Sequence, residues 1–134
     1  MTFDDLFRLS AHAVISDENE NVLLLKASYG DSSWGLPGGA LEPGETIHEA
    51  LIRECNEELG CNVDVSYLSG VYYHSAYNSQ AFIFRCILEE GIHIQLSSEH
   101  TEYEYTSPDN MSVVQQRRVR ECLEYSGSTV SAKF

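Results

Sequence analysis

The sequence predicts an α/β (α+β) fold, a mixed sheet held between two helices, as one domain spanning residues 1–134. Three observations predict it. An acid-rich stretch between Thr46 and Gly60 has helical periodicity and both end signals. Runs rich in branched and aromatic residues lie on either side of it, as strands require. A second helical stretch, Ser112 to Tyr125, follows the last of these runs. A chain of 134 residues is long enough for one domain with a real core.

In chain order, Phe7 to Ser16 is expected as a strand, Asp17 to Asn21 as a polar turn and Val22 to Ala27 as a buried strand. The two strands are expected to pair as an antiparallel hairpin. The loop Tyr29 to Ser33 delivers Trp34, which opens a short strand and a tight Gly/Pro turn. Beyond the helix, Val63 to His74 is strand-like, with Gly70 marking a bulge or a close approach. Residues 76–79 form a turn, and Gln80 to Leu88 is a strand. After Glu89-Glu90-Gly91, Ile92 to Leu96 alternates as a half-exposed strand, and Glu102 to Thr106 is a short one. Pro108 and Asp109 lead into the second helix, where Ser112 and Gln115 have capping-box spacing and Val119, Cys122 and Leu123 give an apolar face. Ser126-Gly127 ends it, and the residues after that read as a frayed tail.

The first helix carries the functional argument. Thr46 and Glu49 have capping-box spacing, and Gly60 is a natural stop. At about 100° per residue, Ile47, Leu51, Ile52, Cys55 and Leu59 form an apolar arc, while Glu49, Arg53 and Asn56 face water. Glu54, Glu57 and Glu58 cluster at the edge of the arc. Like charges at i,i+3 and i,i+4 weaken a helix, and partial burial raises the cost. Something positive is expected beside them. Arg53 offsets part of the charge, and a hard divalent cation, Mg²⁺ or Mn²⁺, suits a cluster of oxygens.

These residues stand in a longer pattern. Gly39, Glu45, Arg53-Glu54, Cys55, Glu57-Glu58 and Gly60-Cys61 reproduce G-x5-E-x7-R-E-U-x-E-E-x-G-U, where U is bulky and apolar, preceded by Trp34-Gly35-Leu36-Pro37-Gly38. The stretch resembles the Nudix box, with cysteine at both U positions. The resemblance implies a three-layer α/β/α sandwich and hydrolysis of a phosphoanhydride in a nucleoside diphosphate-linked small molecule, such as a nucleoside triphosphate, a sugar nucleotide or a dinucleoside polyphosphate. It implies Glu54, Glu57 and Glu58 as metal ligands, with the Gly38 carbonyl adding an oxygen and Glu57 serving as ligand or base. Arg53 would orient the glutamates. Glu45 would support the loop or the helix start. Ser98 to Tyr105 is similar to the E-H-x-E-Y-x-W segment of relatives, which makes Glu99 a second candidate base and His100 a lesser one. The loop Tyr29 to Ser33 would border the substrate pocket.

Trp34 and Tyr77 are the aromatic candidates for substrate binding. The other strand aromatics are expected to serve the core or cross-strand pairs. His12, His48, His74 and His93 are scattered and read as structural or exposed. The net charge of −13, with no basic stripe, disfavours a nucleic-acid polymer or an anionic membrane as partner. It admits a small phosphorylated substrate bridged by metal ions. Cys55, Cys61, Cys86 and Cys122 lack metal-site spacing and read as buried thiols. With no apolar run of membrane length, a cytoplasmic location is expected. Relatives often dimerise, which leaves a homodimer open. Two other readings of the same box also stay open: a nucleotide-sensing module without hydrolysis, and a hydrolase or isomerase of a non-nucleotide diphosphate.

Overall fold

The structure is a computed structural model that describes residues 3–134. Its strands are β1 (Arg8–Val14), β2 (Val22–Ala27), β3 (Trp34–Gly35), β4 (Gly38–Ala40), β5 (Val63–His74), β6 (Ser79–Leu88), β7 (His100–Thr106) and β8 (Val130–Lys133). Its helices are α1 (Ile47–Leu59) and α2 (Val113–Leu123), with a short 3-10 turn over Pro108–Asn110. A five-stranded sheet runs β4-β1-β6-β5-β8, and a three-stranded sheet runs β3-β2-β7. The first is mixed: β1 is parallel to β6 and antiparallel to β4, and β5 is antiparallel to β6 and parallel to β8.

Successive side chains on a strand point to opposite faces, and that alternation builds two cores. Ala11, Ala13 and Ile15 join Phe84 and Cys86 against Leu51, Cys55 and Leu59 of α1. Val14 joins Ile83 and Tyr72 against Val119 and Cys122 of α2. The strands therefore lie between two helices, as the sandwich requires. β2 contributes to both sides, Leu23 and Leu25 to one and Val22 and Leu24 to the other.

Four expectations are corrected. The hairpin of the first two strands stops at one bridge, Ser16 to Val22, and the strands then part into different sheets. Residues 92–96 form no strand. Ile94 and Leu96 instead pack on the α1 core, and the Gln95 N–H reaches the Leu59 carbonyl at 2.8 Å, satisfying an acceptor that the end of α1 leaves free. The expected frayed tail is β8, held to β5, with Phe134 N–H donating to the Tyr73 carbonyl at 2.8 Å. Ile52 is 41% exposed, and Ala50 takes its place in the buried arc.

The local signals around the site hold. Thr46 caps α1 in a reciprocal capping box with Glu49. Gly60 ends it at φ 69°, the left-handed conformation that glycine adopts without a Cβ penalty. Gly70 sits at an irregularity in the β5–β6 register, where the Tyr72 ring lies against it. His12 and His74 gather with Arg118 under α2, and burial and the Arg118 charge push His12 down to about 3. All four cysteines are buried free thiols. Among the described residues, no helix is long and apolar enough to cross a membrane.

Candidate active site

The site forms where the turn before β4 meets the acid edge of α1. The Ala13 N–H donates to the Pro37 carbonyl at 2.8 Å, which fixes the turn against β1. Gly38 then pairs with His12 and Gly39 with Ala11. The Gly38 N–H donates to Glu58 Oε1 at 2.9 Å, bringing that carboxylate under the strand. A Cβ on Gly38 would run into the Ala11 carbonyl and stand 2.7 Å from His12 Cα, and its φ is 139°. A Cβ on Gly39 would instead stand 2.7 Å from the Glu54 carboxyl carbon. The two glycines thus have different work. Gly38→Ala is expected to cost about 3 kcal/mol of stability through strain and clash, read as a lower Tm. Gly39→Ala is expected to displace Glu54 and lower kcat about tenfold or more with a much smaller loss of Tm.

Arg53 was expected to face water and does not. Its Nε donates to Glu45 Oε2 at 2.6 Å and its Nη2 to Glu45 Oε1 at 2.8 Å, a bidentate pair. Nη1 donates to Glu54 Oε1 at 2.8 Å, and Nη2 also to the Ala40 carbonyl at 3.1 Å. Glu45 also accepts from the Glu42 N–H at 2.8 Å, so it ties the loop as well as the helix. The hydrogen bonds from Arg53 hold the Glu45 carboxyl down at about 2.

A cavity of about 270 Å³ opens beside these groups. Glu54, Glu58, Gly38 and Gly39 form one side, and Glu99 and His100 another. The Glu99 loop is pinned to the end of β2, where the Ser28 N–H donates to the Glu99 carbonyl and the Ser28 hydroxyl to the Ser98 carbonyl, each at 2.8 Å. Glu58 is 4% exposed. Burial first, and then the charges of Glu54, Glu99 and Glu57, push its carboxyl up to about 7 despite the Gly38 hydrogen bond. Glu57 stands apart from the wall: its side chain is 59% exposed and lies 3.5 Å from Arg53. Among the described residues, no three acidic, histidine or cysteine groups are already gathered as a metal cage. The donor set nevertheless suits a hard divalent cation, because the wall presents carboxylate oxygens that repel one another.

Neither Trp34 nor Tyr77 lines this cavity. Trp34, on β3, pairs across to Lys26 of β2, and Tyr77 stands exposed in the β5–β6 turn. The remaining walls are Leu25, Ala27, Leu36, Tyr29 and Ser33, with Gly35. The loop carrying Tyr29 and Ser33 was legible from the resemblance, whereas Leu25 and Ala27 read as part of a buried strand and Leu36 only as part of the lead-in to the box. His100 has a further peculiarity: its Nδ1 is buried and has no hydrogen-bond partner.

A family model for the NUDIX domain matches residues 6–124. The chain belongs to the Nudix family. A MutT-like protein of Streptomyces ambofaciens is 34% identical over 111 residues, covering 83% of this chain and 71% of that protein. A protein of Bacillus subtilis (strain 168), provisionally described as an 8-oxo-dGTP diphosphatase, is 28% identical over 79% of this chain and 70% of its own length. The crystal structure of an ADP-ribose pyrophosphatase from Streptococcus suis 89-1591 superposes with a TM-score of 0.78 at 22% identity, covering 95% of this chain and all of that one, and shows the same fold. As a Nudix family member with MutT-like and diphosphatase relatives in sequence, the chain falls in the pyrophosphohydrolase class.

Proposed function

We propose that this protein hydrolyses the phosphoanhydride bond of a small nucleoside diphosphate-linked molecule, with Mg²⁺ or Mn²⁺ as cofactor. One observation carries the reading: Glu54 and Glu58 from α1 and Glu99 from the loop before β7 share the lining of one cavity. Relatives described as diphosphatases and pyrophosphatases support the reaction class.

Glu54 and Glu58 would hold the cation, with Glu57 and the Gly38 carbonyl as further oxygens. The bound cation would supply charge neutralisation at the diphosphate and a more acidic water. Glu99 is the base in this reading, because it lines the cavity while Glu57 is turned to Arg53. Its carboxylate takes the proton as the water oxygen bonds to phosphorus and the bond to the leaving phosphate breaks. Arg53 acts through the carboxylates it positions.

The test is an initial-rate assay over a panel of nucleotides and non-nucleotide diphosphates with Mg²⁺. Turnover of at least one nucleoside diphosphate compound, abolished by EDTA and restored by Mg²⁺, is expected. Tight nucleotide binding without turnover would point to a sensor. Turnover confined to non-nucleotide diphosphates would move the substrate class.

A further inference from the structure

Among the described residues, the two large apolar side chains most open to solvent are Phe3 and Leu6, the second 84% exposed. Phe7, at 50%, and Leu9, at 39%, continue the patch. The backbone that carries them is tied to the β5–β6 turn. Asn78 donates from Nδ2 to the Leu6 carbonyl at 2.9 Å, and its own carbonyl accepts from the Arg8 N–H at 3.1 Å. The Phe7 ring stands edge-on to Tyr73, with 6.4 Å between centroids. A contiguous apolar patch held open to water in this way marks a contact surface.

Beside this ridge lies a hollow of about 480 Å³ whose apolar walls are Phe7, Leu9, Leu41 and Pro43. The Leu41 N–H donates to the Leu9 carbonyl at 3.0 Å, which keeps two of those walls side by side. A ridge and a hollow on one surface are what a two-fold contact between identical chains requires, because each copy's ridge can fill the other's hollow. At about 200 Å² for a large side chain fully exposed, Phe3, Leu6, Phe7 and Leu9 offer about 500 Å² per copy. Two copies would bury about 1,000 Å² before the rest of the hollow is counted, which reaches the lower bound of a specific interface. Charge favours the same occupant. The net charge of −13 repels a nucleic acid or an anionic membrane. It repels a second copy at long range too, yet the patch itself carries both signs, Asp4 and Asp5 on one side of Leu6 and Arg8 on the other. A two-fold axis near Leu6 brings the acids of each copy toward Arg8 of its partner.

We propose that this face joins two copies of the chain in a symmetric dimer, with Leu6 at the two-fold axis and Phe3 of each copy seated in the hollow of the other. Sedimentation equilibrium tests it. At physiological salt the wild type is expected to dimerise with a Kd of roughly 1–100 µM, the weak end for specific contacts. High salt should tighten the dimer severalfold, because it screens the repulsion between two acidic surfaces. Leu6→Asp sets two carboxylates face to face and is expected to weaken the dimer about a hundredfold or more, whereas Val113→Asp, at a position 83% exposed on α2, should leave it unchanged. Arg8→Glu is expected to weaken it about tenfold, and Asp4→Arg added to that variant should recover most of the loss. Leu6→Cys gives a second readout: mild oxidation should link two copies through this position, since the four native thiols are buried, and Val113→Cys should not link them. A wild type that stays monomeric well above that Kd at both salts overturns the proposal. So does a dimer that survives Leu6→Asp.

Discussion

Replacing Glu58 by Gln is expected to lower kcat by about a thousandfold, within the range that a base or a charge-stabilising group supplies. The same change is expected to stabilise the metal-free protein. Glu58 is almost fully buried beside Glu54, Glu57 and Glu99, and its carboxyl is raised from 4.5 to about 7. Between those values the folded protein keeps a proton that the unfolded chain has released. Stability therefore falls as pH rises through that window, and the deficit persists above it. Gln has no such deficit and retains an oxygen for the Gly38 N–H. In EDTA, the variant is expected to gain about 1–3 kcal/mol above pH 7 and nothing near pH 4. Thermal melts across pH measure this. Lower stability of the variant at pH 8 would mean that the carboxylate is compensated by groups other than a cation.

The second large effect is expected at Arg53. Its guanidinium joins the loop through Glu45 and the Ala40 carbonyl to Glu54 on the cavity wall. The Glu45 and Glu54 side chains are each only 17% exposed, so removing the cation leaves two poorly hydrated carboxylates without a charged partner, Glu45 keeping only the Glu42 N–H. Arg53→Ala is expected to cost about 1–2 kcal/mol after solvent screening is allowed for, and to lower kcat by about 10- to 100-fold with KM changed less. Arg53→Lys restores the charge but not the planar fork, so it should recover Tm better than kcat. Glu45 gives a further readout. Held at about 2 by Arg53, it contributes stability above the usual carboxylate range that is lost as pH falls toward 2. In Arg53→Ala that contribution should shrink to what the Glu42 N–H still supplies, moving the acid-unfolding midpoint to higher pH.

Elements governed by local chemistry were legible in the sequence. The capping box at Thr46, the stop at Gly60 and the apolar, branched and aromatic runs of β2, β5 and β6 each depend on residues close in the chain. What depended on distant partners was not legible. Nothing between Asp17 and Asn21 signals that the strands on either side will part after one bridge. β8 exists because β5 offers it a free edge, and its residues 130–133 have too little pattern to show that alone. Residues 92–96 alternate like a strand, yet their alternation serves packing on the end of α1.

In the site, the grouping of Glu54 with Glu58 followed from helical spacing. Helical spacing also grouped Glu57 with them, although its side chain is 59% exposed, and it placed Arg53 in the solvent, because it carries no information about the loop that recruits Arg53. Leu25, Ala27 and Leu36 became cavity wall only through the divergence of the two sheets, which no local pattern encodes.

Binding of Mn²⁺ followed by electron paramagnetic resonance, without any nucleotide, tests most directly whether these carboxylates hold a divalent cation. The wild-type protein is expected to bind Mn²⁺ and release it to excess Mg²⁺, with affinity at least tenfold weaker in Glu54→Gln and in Glu58→Gln. Equal Mn²⁺ affinity in the wild type and both folded variants would contradict the account.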